Sequence, residues 1–419
     1  MRILHTSDWH LGRVTYKVPR EADHDAVLAE IVRIAAEEKP DLVIHSGDLF
    51  DHRRPSYRDQ RRAVRVLHQL AEVAPVVVIC GNHDSPELFD LLAEWFWPND
   101  RIRFIGTPRG PADGGVLRYT GADSVVLRLA VLPFVHINRV VEAFEDASSL
   151  RLRYAERIAG FQETLAEELF RELDPEREVT AFAGHQYISG VDFPGHVHTP
   201  LMRERYATDP DQIPAVGYAA FGDIHKPQKI PGSKVVGRYA GSPLQLDFGE
   251  AGEQKSLVVV DLHPGREADV RLVPLTAGRT LWRFDGTLDE LRAVAPAVGD
   301  QLCLLKVRTP TPDPTLSEQV HALLPEARIL DIDENPDDRR LEPLVEEAGA
   351  ADDEPTLSEL FVDYLEGVST SRAPAKDLPP LFDALLTAED DATIPEVTKI
   401  EALLIKPLAE PVAEKEVTS

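Results

Sequence analysis

Residues 76–84 read Val-Val-Val-Ile-Cys-Gly-Asn-His-Asp: an apolar run of strand length, then a glycine and a polar triplet. A run so short and so wholly apolar is what a strand buried on both faces requires. The same grammar occurs twice upstream. Leu42–His45 is followed by Ser46-Gly47-Asp48, and Arg2–Thr6 by Ser7-Asp8-Trp9-His10. Between these runs Val27, Ile31 and Ile34, and later Val64, Leu67 and Leu70, recur at helical spacing. Strands alternating with helices imply crossover connections and a largely parallel sheet with helices on its faces. Sheets of this kind bind ligands beyond the carboxyl ends of their strands, so the three polar loops are expected to meet at one site.

Downstream, strands are expected at Val126–Leu132, 179–183, 218–221 and 257–261, with a helix over 154–173 between the first two. Residues 186–214 have no period and read as a long loop rich in Pro, Gly and His. A second unit begins near residue 278. Runs at 281–284, 301–307 and 328–332 read as strands, and Thr287-Leu-Asp-Glu290 and Thr315-Leu-Ser-Glu318 as capping boxes that open helices. This β-α-β-α-β unit is small and expected to pack on the first. Beyond it come acidic linkers, then two short amphipathic helices, one carrying Leu357, Phe361 and Tyr364 and the other Leu381, Phe382 and Leu385. The division is 1–275, 278–335 and 336–419. The late helices have nothing of their own to cover and are expected to cap this chain or dock on a partner's helix.

Composition sets outer limits. The 419 residues suit two domains and a tail, and the 43% hydrophobic and 28% charged fractions are globular values. There is no apolar run of eighteen residues and no signal-like start, so no membrane span is expected. Cys80 and Cys303 both fall in strand-like runs, which points to a reducing compartment and a cytoplasmic protein. The net charge of −27 argues against a polyanionic partner until its location is considered. Residues 311–419 hold 27 acidic and 8 basic side chains. Near the other end, Arg53, Arg54, Arg58, Arg61, Arg62 and Arg65 form a basic strip with one acid inside it. Its i, i+3, i+4 spacing fits a solvated helix face as well as it fits a surface that holds phosphates.

The chemistry-bearing groups are Asp8-x-His10, Gly47-Asp48, Gly81-Asn82-His83-Asp84, Gly184-His185 and Gly222-Asp223-Ile224-His225, each after an expected strand. Carboxylate and amide oxygens mixed with imidazoles suit Mn, Fe or Zn. Seven of these side chains, Asp8, His10, Asp48, Asn82, His185, Asp223 and His225, exceed one ion's needs. Two ions bridged by one carboxylate would use them and clamp a phosphate during in-line displacement. Gly195-His196-Val197-His198 offers a rival histidine, but it follows loop residues, whereas His225 follows an apolar run, and a ligand needs a rigid base.

The motif order resembles the calcineurin-like metallophosphoesterase superfamily, whose fold is an α/β sandwich of sheets with flanking helices. Residues 6–12 (Thr-Ser-Asp-Trp-His-Leu-Gly), 47–51, 222–228, 239–243 and 248–250 are worded like the SbcD family of double-strand-break nuclease subunits. The resemblance covers roughly residues 1–260. It implies that Asp8, His10, Asp48 and His225 bind a first Mn, with Asp48 bridging to a second held by Asn82, His185 and the residue two before His225. That family has histidine there, and this chain has Asp223. It implies two Mn, with Mg as the lesser option. His83 is the residue expected to stabilise the transition state and protonate the leaving oxygen, with Asp84 fixing its tautomer by a hydrogen bond. Arg53, Arg54 and Arg58 would meet DNA phosphates at the rim. In function the resemblance implies 3′-to-5′ exonuclease action on duplex ends and endonuclease action on single strands or hairpins. It also implies a homodimer, a DNA-capping role for 278–335, and an SbcC-like coiled-coil ATPase as partner for the late helices. The rival readings are a superfamily enzyme acting on phosphoproteins or small nucleotides, and a catalytically silent scaffold.

Overall fold

The computed structural model describes residues 1–96, 101–136, 147–192 and 206–336. β1 (Arg2–Thr6), β2 (Leu42–His45), β3 (Val76–Ile79) and β4 (Ile102–Ile105) lie side by side and parallel. They are connected through α1 (Glu21–Glu38), α2 (Tyr57–Val73) and α3 (Pro86–Phe96). β5 (Val116–Thr120), β6 (Val126–Leu132), β7 (Glu178–His185), β8 (Tyr218–Gly222) and β9 (Gly237–Tyr239) build a second sheet. Within it β6 to β9 are parallel, and α4 (Ala147–Phe170) crosses between β6 and β7. β10 (Ser256–Asp261) and β11 (Asp269–Pro274) then return to the first sheet, where β10 pairs antiparallel with β1.

The largely parallel sheet that the alternation implied is one of two sheets stacked face to face, which is the sandwich with flanking helices that the resemblance implied. Period-two alternation shows how one sequence serves two neighbours. Ile3, Leu42, Ile44, Val77 and Ile79 meet Leu127, Leu129, Val131, Ala181 and Ala183 of the other sheet. The alternate residues Leu4, Val43, Val76 and Val78 meet α1, α2 and α3. On the second sheet's outer face, Phe182 and Phe221 meet Tyr154, Ile158 and Leu169 of α4. Both faces are buried, as read, but one of them is buried by a sheet. The polar loops after β1, β2, β3, β7 and β8 all leave carboxyl ends of these parallel strands.

β12 (Leu281–Thr287), α5 (Leu288–Val294), β13 (Leu302–Thr309), α6 (Leu316–Leu323) and β14 (Arg328–Pro336) form the expected small unit, with a parallel sheet in the order β12-β13-β14. Leu291, Cys303, Leu305, Val307 and Val320 are its core. The Thr287 capping box is present in both directions. The second is not: Thr315 (φ −98°, ψ 0°) lacks the extended backbone of a cap and makes no side-chain cap to α6, and its hydroxyl donates to Asp313 Oδ1 at 2.7 Å. Leu281 and Leu302 pack with Phe248, and Met1–Arg340 is one compact unit. Leu341–Ser419 is a second unit, and the two expected helices with Leu357, Phe361, Tyr364, Leu381, Phe382 and Leu385 lie outside the described residues.

A buried ion cluster fixes where the small unit leaves the body. Asp23 on α1 accepts Arg20 Nε at 2.7 Å and the backbone N–H, Nε and an Nη of Arg279 at 2.9–3.0 Å. Burial raises the Asp23 pKa, but the Arg279 and Arg20 hydrogen bonds outweigh it and hold the carboxyl down at about 2. A depressed folded-state pKa gives stability that is present above the unfolded value near 4 and lost as pH falls towards 2. Asp23→Asn leaves two guanidinium groups without their counter-charge and is expected to cost about 3 kcal/mol at pH 7 in chemical denaturation. The difference from the wild type should shrink on acidification from pH 5 to pH 2. A loss below 1 kcal/mol at pH 7 would show that the cluster does not anchor the junction.

Candidate active site

The loop backbones are unusual before any side chain is considered. Asp8 (φ 53°), His10 (φ 47°), Asp48 (φ 55°) and Asp223 (φ 97°) all occupy the left-handed region, at roughly 1 kcal/mol or more each. The strain is held by packing and by cross-loop bonds: Asp8 N–H donates to the Gly47 carbonyl at 2.9 Å, and His10 N–H to the Asp48 carbonyl at 3.1 Å. Gly47 (φ 111°) precedes Asp48 because a Cβ there would lie 2.1 Å from His185 Nδ1. Gly222 precedes Asp223 for a related reason, since its Cβ would stand 2.3 Å from both the Ser46 carbonyl oxygen and Ser7 Oγ. The glycines noted before the ligands are thus conditions for the loops to meet.

The seven predicted metal-binding residues come together. Ligand atoms of Asp8, His10 and His225 lie within 4.8 Å of one another, as do those of Asp8, Asp48 and His185, and those of His10, Asp48 and His83. Asp48 joins the two sides: its Oδ2 is 3.4 Å from His10 Nε2 and 3.5 Å from His185 Nε2. Asn82 presents its amide 2.8 Å from His185 Nε2 and 3.3 Å from carboxylate oxygens of Asp48 and Asp223. Asp223 donates its N–H to Asp8 Oδ1 at 3.1 Å, while its carboxylate stands with Asn82 and 3.8 Å from His185 Nε2. The rival His198 lies outside the described residues; His225 is the histidine beside Asp8 and His10.

Lone pairs make the case for cations. His10 Nδ1 donates to Asp51 at 3.2 Å and His225 Nδ1 to Glu250 at 2.9 Å, which leaves both Nε2 atoms as acceptors. Those atoms face each other at 3.1 Å. Two lone pairs at that distance repel unless a proton or a metal cation lies within their reach, and although burial disfavours charge on His225, Glu250 and Asp8 raise its pKa, so positive charge is favoured there. Asp8 Oδ2 is buried with no hydrogen-bond partner. Burial lowers the His10 pKa to about 4, so it is the neutral imidazole that a metal needs. Burial also disfavours charge on His185, yet Asp48, Asp8 and Asp223 raise its pKa to about 10, so the surrounding carboxylates favour positive charge in the cluster. The donor set and its geometry fit a pair of divalent transition-metal ions.

His83 donates Nδ1–H to the Asp51 carbonyl at 2.9 Å and its backbone N–H to Asp48 Oδ1 at 2.9 Å, and its ring meets His10 edge-on at 4.8 Å. Its tautomer is therefore fixed by Asp51. The expected Asp84–His83 hydrogen bond is not formed. Asp84 is buried and accepts the backbone N–H groups of Leu49, Phe50 and Gly81 at 2.9–3.1 Å, tying two ligand loops together. Arg53 lines cavities at the site, one shared with Asn82 and Asp223. Arg54 and Arg58 are exposed. Arg62 is engaged by Asp25 and Asp59, so the strip is in part the solvated face that its spacing also fitted.

Two functional residues were overlooked in the sequence: Asp51 and Glu250, which orient His10 and His225. Both stood inside the quoted motif segments, but a single acidic residue gave no separate signal. Glu250→Gln keeps the shape and removes the charge behind His225. It is expected to weaken Mn binding about 10- to 100-fold in a calorimetric titration, and unchanged affinity would remove Glu250 from this role.

Residues 1–227 match the family described as calcineurin-like phosphoesterase. The chain is 30% identical over 328 residues to the SbcD subunit of the SbcCD nuclease from Bacillus subtilis (strain 168), covering 77% of this chain and 82% of that protein. The corresponding SbcD protein of Rhodobacter capsulatus is 30% identical over 292 residues, 66% of this chain and 69% of that one. That of Staphylococcus epidermidis is 26% identical over 300 residues, with 70% and 74% covered. The chain therefore belongs to the calcineurin-like phosphoesterases, metal-dependent enzymes, and within them to the SbcD nucleases.

Proposed function

We propose that this chain is a Mn-dependent DNA nuclease. In this reading it degrades duplex ends from 3′ to 5′ and cuts single strands and hairpins, as a cytoplasmic homodimer working with an SbcC-like coiled-coil ATPase in double-strand-break repair. The observation that carries the reading is the joining of two ligand groups through Asp48, in a chain related to SbcD nucleases. Asp8, His10, Asp48 and His225 would hold one ion, and Asp48, Asn82, His185 and Asp223 the other. Imidazoles among the oxygen donors favour Mn over Mg. Bound there, the ions supply Lewis acidity toward a phosphodiester and acidify water for in-line attack.

The chain's own residues do the rest. Asp51 and Glu250 hold the His10 and His225 rings as acceptors toward the ions. His83, with Nδ1–H committed to the Asp51 carbonyl, has Nε2 left to carry the proton that the departing sugar oxygen takes up. Arg53 at the rim holds a flanking phosphate without reading bases, and Arg54 and Arg58 extend that contact. The small unit of 278–335 would cap the bound DNA, and the helices carrying Leu357, Phe361, Tyr364, Leu381, Phe382 and Leu385 would dock on the ATPase.

The test is the Mn-loaded chain assayed on duplex and hairpin DNA beside His83→Ala. The variant is expected to retain two Mn and to lose activity about 10²- to 10⁴-fold. Full activity in the variant would remove His83 from acid catalysis. No activity in the metal-loaded wild type would favour a binding scaffold.

A further inference from the structure

Behind His225 lies a buried cation that the mechanism above does not use. Lys255 is 4% exposed and stands directly before β10, the strand that pairs with β1. An ammonium has three N–H donors, and here each finds an acceptor: Glu250 Oε2 at 2.7 Å, Glu253 Oε2 at 2.8 Å and the His225 carbonyl oxygen at 2.9 Å. The Glu250 carboxylate divides its oxygens in turn. Oε1 accepts Nδ1–H of His225 at 2.9 Å, while Oε2 takes Lys255, the Leu246 N–H at 3.2 Å and the Ser242 hydroxyl at 3.4 Å. With Oε2 so occupied, Oε1 is the oxygen left for the imidazole. Lys255 thus reaches His225 twice, at its backbone and through Glu250. The other histidine is backed differently: Asp51 meets Arg13 and His52, whose side chains are 33% and 75% exposed, so the cations behind His10 lie at the surface.

A buried ion pair adds little stability over well-packed apolar residues of the same size, so the fold alone does not call for an ammonium here. A metal ligand does call for one fixed orientation, held by groups that are themselves fixed. We propose that Lys255 is a positioning residue for the nuclease reaction: its ammonium aims the Glu250 carboxylate at His225 and pins the His225 backbone, so that Nε2 of that ring faces the first ion. The inference rests on the reading of His225 as a metal ligand and adds the residue that aims it. Charge and position make opposite predictions. Removing a positive charge from beside a cation site tightens cation binding if charge is all that matters. If Lys255 aims the ligand, its loss loosens binding.

The experiment is a calorimetric Mn titration of the full chain carrying Lys255→Met, which keeps a long side chain and removes the charge. Mn affinity is expected to fall about tenfold. In a Glu250→Gln background the same substitution should cost less than about threefold, because the link it supports is already cut; in an Asp51→Asn background it should again cost about tenfold. A fold that had merely loosened would lose affinity alike in both backgrounds. Unchanged or tighter Mn binding by Lys255→Met would overturn the proposal, and so would equal losses in the two backgrounds. If Lys255→Met alone does not fold, the double variant Glu250→Gln/Lys255→Met, which leaves no Glu250 charge uncompensated, is compared with Glu250→Gln. Equal affinity supports the proposal, and a further loss of about tenfold overturns it. A wild-type chain that binds no Mn would instead remove the metal reading of the site itself.

Discussion

Asp48→Asn is expected to abolish nuclease activity by on the order of 10³-fold or more and to leave the chain unable to hold two Mn ions together. One carboxylate oxygen of Asp48 stands between His10 Nε2 and His185 Nε2, and the other accepts the His83 N–H. The neighbouring imidazoles of His185 and His10 outweigh burial and hold this carboxyl well below its usual range, so it is the anion that both halves of the cluster share. Asparagine preserves the volume and removes the charge where two cations would otherwise repel each other. Asp8 alone among the others also reaches both groups; His225, Asn82, His185 and Asp223 serve one side and should cost less. Mn titration with parallel activity measurement checks this; a variant that still bound two ions and cut DNA would show that Asp48 does not bridge.

The second large effect is expected from a single methyl group. Gly222→Ala places a Cβ 2.3 Å from the Ser46 carbonyl oxygen and from Ser7 Oγ, and 2.8 Å from His185 Nδ1. None of these can give way cheaply: all three residues are buried, and the Ser46 carbonyl also accepts from His185 Nδ1 at 2.8 Å. The change should destabilise by about 3 kcal/mol or more and displace Asp223 and His185 enough to empty the second ion's place. Gly160→Ala is the contrast. That glycine lies within α4, and a Cβ there meets nothing within 4 Å. Alanine should stabilise by about 1 kcal/mol through helix propensity alone. Thermal unfolding with Mn titration separates the two, and a mild effect at Gly222 would mean that the loops do not need this close approach.

These contrasts also explain what the sequence made legible. β2 and β3 were visible because strands covered on both faces are written in apolar residues throughout. The same property hid from the apolar pattern which face meets the second sheet, since Ile44 or Val77 looks alike against a helix or against another strand; the sandwich came from the resemblance. β4 and β5 lie on sheet edges, and Arg103 and Arg118 break their apolar pattern. The proposed metal ligands were legible because each sits at or just beyond the carboxyl end of a strand, most of them beside a glycine that the geometry demands. Asp84 was misread through adjacency: consecutive side chains in a tight turn diverge, and three backbone N–H groups captured its carboxylate. Thr315 lacks the extended backbone of a cap, and its hydroxyl and N–H turn to Asp313, a partner two residues away that the capping pattern does not include.

The central claim is that two cations share Asp48. Mn-soaked crystals measured at the manganese absorption edge test it most directly. Two anomalous peaks are predicted, roughly 3.5–4 Å apart, one among Asp8, His10, Asp48 and His225 and the other among Asp48, Asn82, His185 and Asp223. A single peak at saturating Mn, or two peaks without Asp48 between them, would contradict it.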